Sequence, residues 1–347
     1  MSLSRRIRVL VVDDSAVVRQ ALASELGKAR DIEVVGTAPD PYVARNKILS
    51  LCPDVITLDV EMPRMDGLTF LRKIMQHHPI PVIIVSSLTR QGSEMAMDAL
   101  EAGAVDVLCK PGVAYTVGHI GTILIEQIRA VSNLDARQLR RPPSKDNPPP
   151  MARLRRTSKQ IIAIGASTGG TVAIERVLRR MPANSPGIVM VQHMPESFTR
   201  VYAERLNQVC SIEVREARDG DRIQPGCALL APGNFHMCVA RDGAMYCVRL
   251  NQGPRVHYQR PAVDNLFFSI AEHVGANAVA TLLTGMGKDG ALGLLAIREA
   301  QGRTIVQDKE SCVVYGMPAE AMRLGAAEFQ FPLDDIAARA IALVNVA

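Results

Sequence analysis

Apolar runs of four to six residues alternate with amphipathic stretches along most of this chain. Up to residue 131 the runs near 7–12, 32–36, 55–58, 82–85 and 105–108 read as strands. The stretches near 16–28, 41–50, 67–77, 92–102 and 115–130 read as helices, with Ser15 placed to cap the first. Strands apolar on both faces, each followed by a helix, imply a parallel sheet covered on both sides. The rhythm resumes after residue 160, with strands near 161–164, 187–191, 212–215, 227–231, 235–240, 244–249, 278–283 and 304–306. Helices are expected there near 170–180, 197–209, 264–274, 290–300, 317–324 and 334–345. Pro232-Gly233-Asn234 and Arg241-Asp242-Gly243 are turn signals between short strands and predict a hairpin region. The expected architecture is α/β. A doubly wound five-stranded parallel domain is followed by a linker, then by a mostly parallel α/β sheet with an antiparallel hairpin excursion.

The rhythm breaks at Arg140-Arg141-Pro142-Pro143-Ser144-Lys145-Asp146-Asn147-Pro148-Pro149-Pro150, which has neither the donors nor the apolar side chains to build an element. We therefore expect domains at 1–131 and 160–347, joined by a Pro- and Arg-rich linker at 132–159. The linker also explains the charge. It holds eight Lys and Arg against two Asp, or +6, so a chain of net charge +5 leaves −1 for everything else. Neither half is basic enough to read as a nucleic-acid surface, and aromatic residues make up only 4% with no Trp. The seven cysteines form no C-x-x-C pair and read as buried, reduced thiols. No signal peptide and no apolar run of membrane-spanning length is evident, so we expect a cytoplasmic protein that is not membrane-inserted.

Polar groups collect at the strands' carboxyl ends, where parallel sheets carry their function. In the first half these are Asp13 and Asp14, Asp59, Ser86 and Ser87, and Lys110 followed by Pro111. Converging carboxylates repel unless a hard cation joins them, and Mg²⁺ suits such a set. With the metal bound, Asp59 can take up a phosphoryl group while Ser86 and Lys110 hold its oxygens. Val11-Val12-Asp13-Asp14-Ser15, Leu58-Asp59-Val60-Glu61-Met62-Pro63, Asp66-Gly67 and Lys110-Pro111 together resemble the response-regulator receiver domain over residues 7–130. The resemblance implies that Asp13, Asp14 and Asp59 hold Mg²⁺, that a histidine kinase phosphorylates Asp59, and that Ser86 and Lys110 sense the phosphate. Val107 stands where many receivers carry an aromatic residue.

In the second half, Ile161-Ile162-Ala163-Ile164 leads into Gly165-Ala166-Ser167-Thr168-Gly169-Gly170 and then a helix-like stretch. This strand, tight turn and helix fits either a phosphate cradle or a nucleophile elbow. A nucleophile needs a base and an orienting acid. Among His77, His78, His119, His193, His236, His257 and His273, His193 is best placed, just past the strand 187–191. His236 and His257 stand as alternatives. Asp289, in the Gly-rich turn Thr284-Gly285-Met286-Gly287-Lys288-Asp289-Gly290, is the candidate acid and a candidate helix cap. The order Ser, His, Asp differs from that of the α/β-hydrolases.

Ile164-Gly165-Ala166-Ser167-Thr168-Gly169-Gly170, Gln192-His193-Met194-Pro195, Ala231-Pro232-Gly233, Leu283-Thr284-Gly285-Met286-Gly287-Lys288-Asp289-Gly290 and Ser311-Cys312-Val313-Val314-Tyr315-Gly316-Met317-Pro318 resemble the chemotaxis protein-glutamate methylesterases. With the receiver, that resemblance spans nearly the whole chain apart from the linker. It implies a phosphorylation-activated hydrolase with the triad Ser167, His193 and Asp289, and with Thr168 and Met286 near the oxyanion. It further implies chemoreceptor substrates, glutamine deamidation as a second activity, a chemotaxis histidine kinase as phosphodonor, a monomer, and no cofactor in the catalytic half. Ala262 stands where that family often has serine. The competing readings are a nucleotide-binding regulatory module and a response regulator with another output, such as DNA binding. The chain lacks the P-loop lysine, the G-x-G-x-x-G spacing and a helix-turn-helix signature.

Overall fold

The computed structural model describes residues 5–87, 89–110, 117–134, 151 and 160–344. The chain forms two compact units, 1–145 and 146–347. The division falls inside the stretch read as a linker, of which only residues 132–134 and 151 are among those described.

The first unit is a five-stranded sheet of β1 (Ile7–Val12), β2 (Ile32–Ala38), β3 (Val55–Leu58), β4 (Val82–Ser86) and β5 (Asp106–Cys109). All pairings are parallel and the order is β2-β1-β3-β4-β5. β3, β4 and β5 are buried at every position, as strands with helices on both faces must be. The helices are Ala16–Leu26, Pro41–Leu51, Gly67–His77, Arg90–Glu101 and Val117–Val131. Four of them start where a side chain caps free amides: Ser15 accepts from Val18, Asp40 from Tyr42 and Val43, Asp66 from Thr69, and Thr89 from Gly92. The Thr89 cap starts its helix two residues ahead of the sequence expectation. The chain winds outward from β1 in both directions, which opens a crevice between the carboxyl ends of β1 and β3. Asp13 and Asp59 follow those two strands.

The second unit is a seven-stranded sheet, order β14-β13-β12-β6-β7-β9-β8, parallel throughout. Its strands are β6 (Ile161–Ala166), β7 (Gly187–Gln192), β8 (Glu213–Glu216), β9 (Cys227–Leu230), β12 (Ala278–Leu282), β13 (Arg303–Gln307) and β14 (Phe329–Phe331). β10 (His236–Asp242) and β11 (Met245–Asn251) form a separate antiparallel hairpin. Its turn is the expected Asp242-Gly243 signal, with Gly243 at φ +59°. The other turn signal behaves differently from its reading. Pro232-Gly233-Asn234 does not join a hairpin, because β9 is held in parallel by β7 and β8, and the chain leaves the sheet there. β14 was not expected at all, since its three residues fall below any readable period. Phe329 and Phe331 share one face, with ring centroids 5.7 Å apart. Of the cysteines expected to be buried, Cys52 is exposed and Cys210 and Cys238 are half-buried.

β6 lies at the centre, with β7 on one side and β12 on the other, so the winding reverses between β6 and β12. The helix Val263–His273 packs close over this point. A Cβ at Gly165, near the end of β6, would lie 2.3 Å from Val263 Cγ1. Gly165→Ala is therefore expected to destabilise the second unit by about 1–3 kcal/mol through overpacking. A lowered denaturant midpoint at unchanged slope is the result to look for.

Candidate active site

Ser167, His193 and Asp289 come from three adjacent strand ends, those of β6, β7 and β12. After β6 the Ser167 amide donates to the Thr284 carbonyl (3.0 Å) and the Gly170 amide to the Ser167 carbonyl (2.6 Å). The chain then turns through Gly169, at φ +77°, into the helix Gly170–Arg179. Ser167 therefore sits at the N-terminus of a ten-residue helix, where the backbone dipoles favour negative charge. His193 follows β7, its amide bonded to the Ala166 carbonyl at 3.2 Å.

The side chains form one line. His193 Nδ1 lies 3.1 Å from Ser167 Oγ, and His193 Nε2 lies 2.8 Å from Asp289 Oδ2. The histidine side chain is 6% exposed and the aspartate 2%. Asp289 is also fixed by two amides at the start of the helix Val263–His273: Val263 donates to Oδ2 (2.7 Å) and Asp264 to Oδ1 (2.9 Å). Burial would raise the Asp289 pKa, but the His193 bond and these amides outweigh it, and the carboxyl lies below its ordinary value. The expected role of Asp289 as a cap is thus met in an unexpected way. It caps the helix at 263, not the one that follows it, whose Gly293 amide goes to Asp264 Oδ1 instead.

Two further features surround Ser167. The Gly285 carbonyl accepts from the Gly316 (3.1 Å) and Met317 (2.8 Å) amides. In a trans peptide the N–H opposes the carbonyl, so the Met286 amide is turned away from 316–317. Thr168 is buried beside Ser167, and its carbonyl accepts from Thr284 Oγ1 at 3.0 Å. Thr284 also receives the Val314 amide (2.9 Å), and its own amide donates to Gln307 Oε1 (2.8 Å). Gln192 Nε2 donates to the Ser167 carbonyl at 2.9 Å. Gln192, Thr284 and Gln307 were not singled out from the sequence. Gln192 is the polar residue that closes the apolar strand β7, Gln307 closes β13, and Thr284 lies two residues past the end of β12.

The other histidine candidates lie apart from Ser167. His236 is fully buried; its Nε2 donates to the Pro254 carbonyl (2.9 Å) and its Nδ1 accepts from the Ala262 amide (3.2 Å). Burial lowers its pKa, so it is a neutral structural group. His257 approaches Asp264, not the serine.

In the first unit Asp13, Asp59 and Lys110 converge. Lys110 Nζ is 2.7 Å from Asp59 Oδ2 and 3.0 Å from Asp13 Oδ2. Oxygens of Asp13, Asp14 and Asp59 all lie within 4.8 Å of one another. Burial raises the pKa of both Asp13 and Asp59, the latter to about 6, against the pull of Lys110. Lys110 is itself raised: burial works against its charge, but the two carboxylates outweigh that. Ser86 Oγ is fully buried and donates to the Gly92 carbonyl at 3.1 Å. Asp13 Oδ1 accepts the Ser15 amide and Asp59 Oδ1 the Glu61 amide, which leaves both Oδ2 atoms to a single ammonium group, with exposed Asp14 beside them. Three carboxylates so placed are a donor set that fits Mg²⁺.

A doubly wound unit with an acidic pocket, joined to a parallel sheet bearing Ser, His and Asp at its switch point, defines a response regulator with a hydrolase-like output half. Comparison with known proteins agrees with that class. The CheB methylesterase family model matches residues 162–340, and the response regulator receiver domain model matches 9–116. The chain belongs to the CheB methylesterase family. It is 54% identical to the protein-glutamate methylesterase/protein-glutamine glutaminase 2 of Syntrophus aciditrophicus, over 98% of this chain and 99% of that one. It is also 54% identical to the protein of the same name from Pseudomonas aeruginosa, over 96% and 95%. The solved CheB methylesterase catalytic domain of Thermotoga maritima is 38% identical, with a TM-score of 0.52 over 53% of this chain and 98% of that one. Among the described residues no helix is long and apolar enough to cross a membrane.

Proposed function

We propose that this chain is a phosphorylation-activated hydrolase that removes methyl esters from glutamate side chains of chemoreceptors and deamidates receptor glutamines by the same acyl chemistry. The observation that carries the reading is the line Ser167–His193–Asp289, with spacings of 3.1 and 2.8 Å, at the switch point of the sheet. Asp289 keeps the proton of His193 on Nε2, which leaves Nδ1 free to accept. The ring is used the other way round from the chymotrypsin triad, in which Nε2 faces the serine. Ser167 Oγ bonds to the ester carbonyl carbon as its proton passes to Nδ1. The amides of Thr168 and Met286 hold the oxyanion. The tetrahedral adduct then breaks its C–O bond to the methoxy group, which leaves as methanol with the proton from Nδ1. Water attacks the acyl-serine by the reverse of these transfers and frees the glutamate. With glutamine the leaving group is ammonia.

Asp59 accepts the phosphoryl group from a chemotaxis histidine kinase. Asp13, Asp14 and Asp59 would hold Mg²⁺, which supplies charge neutralisation at the phosphoryl oxygens. Lys110 then pairs with the phosphoryl group, and Ser86 reaches it by turning from Gly92. The domains run over 1–131 and 160–347, tethered by 132–159, in a cytoplasmic monomer with no nucleic-acid partner. Treatment with a serine-reactive phosphonate is expected to label Ser167 only when His193 is present; no labelling, or nucleotide binding at the Gly-rich turn, overturns the esterase reading. A small-molecule phosphodonor should raise methanol release from methylated receptor membranes in the wild type and not in Asp59→Asn.

A further inference from the structure

Behind Asp289 lies a second buried carboxyl that the reaction scheme does not use. Asp264 is 3% exposed and sits in the first turn of the helix Val263–His273. Its amide binds Asp289 Oδ1, its own Oδ1 accepts the Gly293 amide at 2.8 Å, and its Oδ2 lies 3.8 Å from His257 Nε2. His257 is the outermost member, with its side chain 34% exposed. It has φ +49°, and Tyr258 after it has φ +64°. Two consecutive non-glycine residues in the left-handed region carry strain of order 1 kcal/mol or more each, of the kind that collects at functional sites.

Burial and the adjacent Asp289 charge raise the Asp264 pKa to about 6, while Asp289 moves down. Two carboxyls in one dry pocket divide their protons unevenly in this way. A carboxylate pair beside a histidine is also a candidate donor set for a cation. Here, however, both Asp289 oxygens already accept N–H bonds. Asp289 Oδ1, which takes only the Asp264 amide, keeps a lone pair that a proton on Asp264 can occupy without displacing His193 from Oδ2.

We propose that Asp264 is a positioning residue for the hydrolysis, holding Asp289 from behind and, through His257, linking the triad to solvent protons. The proposal rests on the triad reading above. When Asp264 carries a proton it donates to Asp289 and shares that carboxylate's charge, which weakens its grip on the His193 imidazolium. When Asp264 ionises, the pocket gains a full charge and His193 becomes the stronger base. The ionisable groups around the pair are His193 from the end of β7, His257 from the loop after β11, and neutral His236 from β10. Lys288 is exposed, and Arg298 and Glu299 lie at the far end of the helix Ala291–Glu299 packed alongside.

The test is the second-order rate of phosphonate inactivation of the full chain between pH 5 and pH 8.5, read without any receptor substrate. Asp264→Asn keeps the size and the acceptor for Gly293 but cannot ionise. The wild type should exceed this variant by about tenfold at pH 8, about one pKa unit in the strength of the base. The two should converge below pH 5.5, where Asp264 is protonated. His257→Gln should shift the midpoint of that ratio, because it removes the imidazole that lies 3.8 Å from Asp264 Oδ2. The imidazole ¹⁵N shifts of His193 should titrate at lower pH in Asp264→Asn than in the wild type, which reads the effect on the base directly. Parallel profiles and identical ¹⁵N titrations overturn the proposal and leave the triad standing. Labelling that persists in Ser167→Ala would instead overturn the triad reading. Protection by micromolar Zn²⁺ that is lost in His257→Gln would assign the cluster to a cation and overturn the proton role.

Discussion

Ser167→Ala is expected to lower methanol release on the order of 10⁶-fold, since it removes the atom that forms the acyl bond and leaves only binding and the oxyanion amides. Asp289→Asn should lose about 10⁴-fold in kcat with the fold and KM retained. The reason lies in how Asp289 is held. Oδ2 takes both His193 Nε2 and the Val263 amide, and Oδ1 takes the Asp264 amide. An asparagine can present one oxygen only. If its NH₂ faces His193, the ring is forced to carry its proton on Nδ1 and cannot accept from Ser167. If its NH₂ faces the Asp264 amide, two donors oppose each other and the ring loses its register. Steady-state methanol release beside circular dichroism separates loss of chemistry from loss of fold. Activity within tenfold of wild type in either variant would remove the triad from the mechanism.

Asp59→Asn has the second large effect, and it appears in stability as well as signalling. Burial raises the Asp59 pKa from 3.8 to about 6. A carboxyl raised by folding contributes stability that is present below its unfolded value and lost as pH rises through the folded one. At pH 7.5 the wild-type receiver unit therefore bears an ionised Asp59 at a penalty. Two pKa units correspond to about 3 kcal/mol, and losing the Lys110 contact offsets part of this. The variant should be more stable than the wild type by about 1–3 kcal/mol at pH 7.5, with the gap closing by pH 4. Calorimetry that resolves the receiver transition checks this, and added Mg²⁺ should raise the wild-type transition more than the variant's. A destabilised variant at pH 7.5 would mean that Lys110 already neutralises the pocket. The variant should also take up no phosphoryl group from a small-molecule donor.

Much of this protein was legible in its sequence because parallel sheets impose a strong one-dimensional signal. Strands buried on both faces must be continuously apolar, so the first polar residues after each run mark the strand's carboxyl end. That rule brought Asp13, Asp59, Lys110 and Ser167 forward; His193 and Asp289 lie one and several residues beyond the first polar position and were reached through the base and acid that a serine nucleophile needs. Local chemistry also fixed the Asp242-Gly243 hairpin turn and the helix start at Ser15.

Where pairing is decided by distant residues, the local signal failed. Pro232-Gly233-Asn234 specifies a turn, but β7 and β8 take β9 in parallel and the turn joins two different sheets. Phe329–Phe331 becomes a strand only because β13 offers it an edge. The sequence determined the α/β class, two sheet-bearing halves and which side chains lie at their functional ends, because burial along each strand is a local property. The tertiary structure alone decided which nitrogen of His193 faces Ser167, that amides 263 and 264 clasp Asp289, and that Asp264 and His257 stand behind it. Those relations join residues about 25 to 100 positions apart, whose approach is set by strand order and helix packing and leaves no periodic trace in the chain.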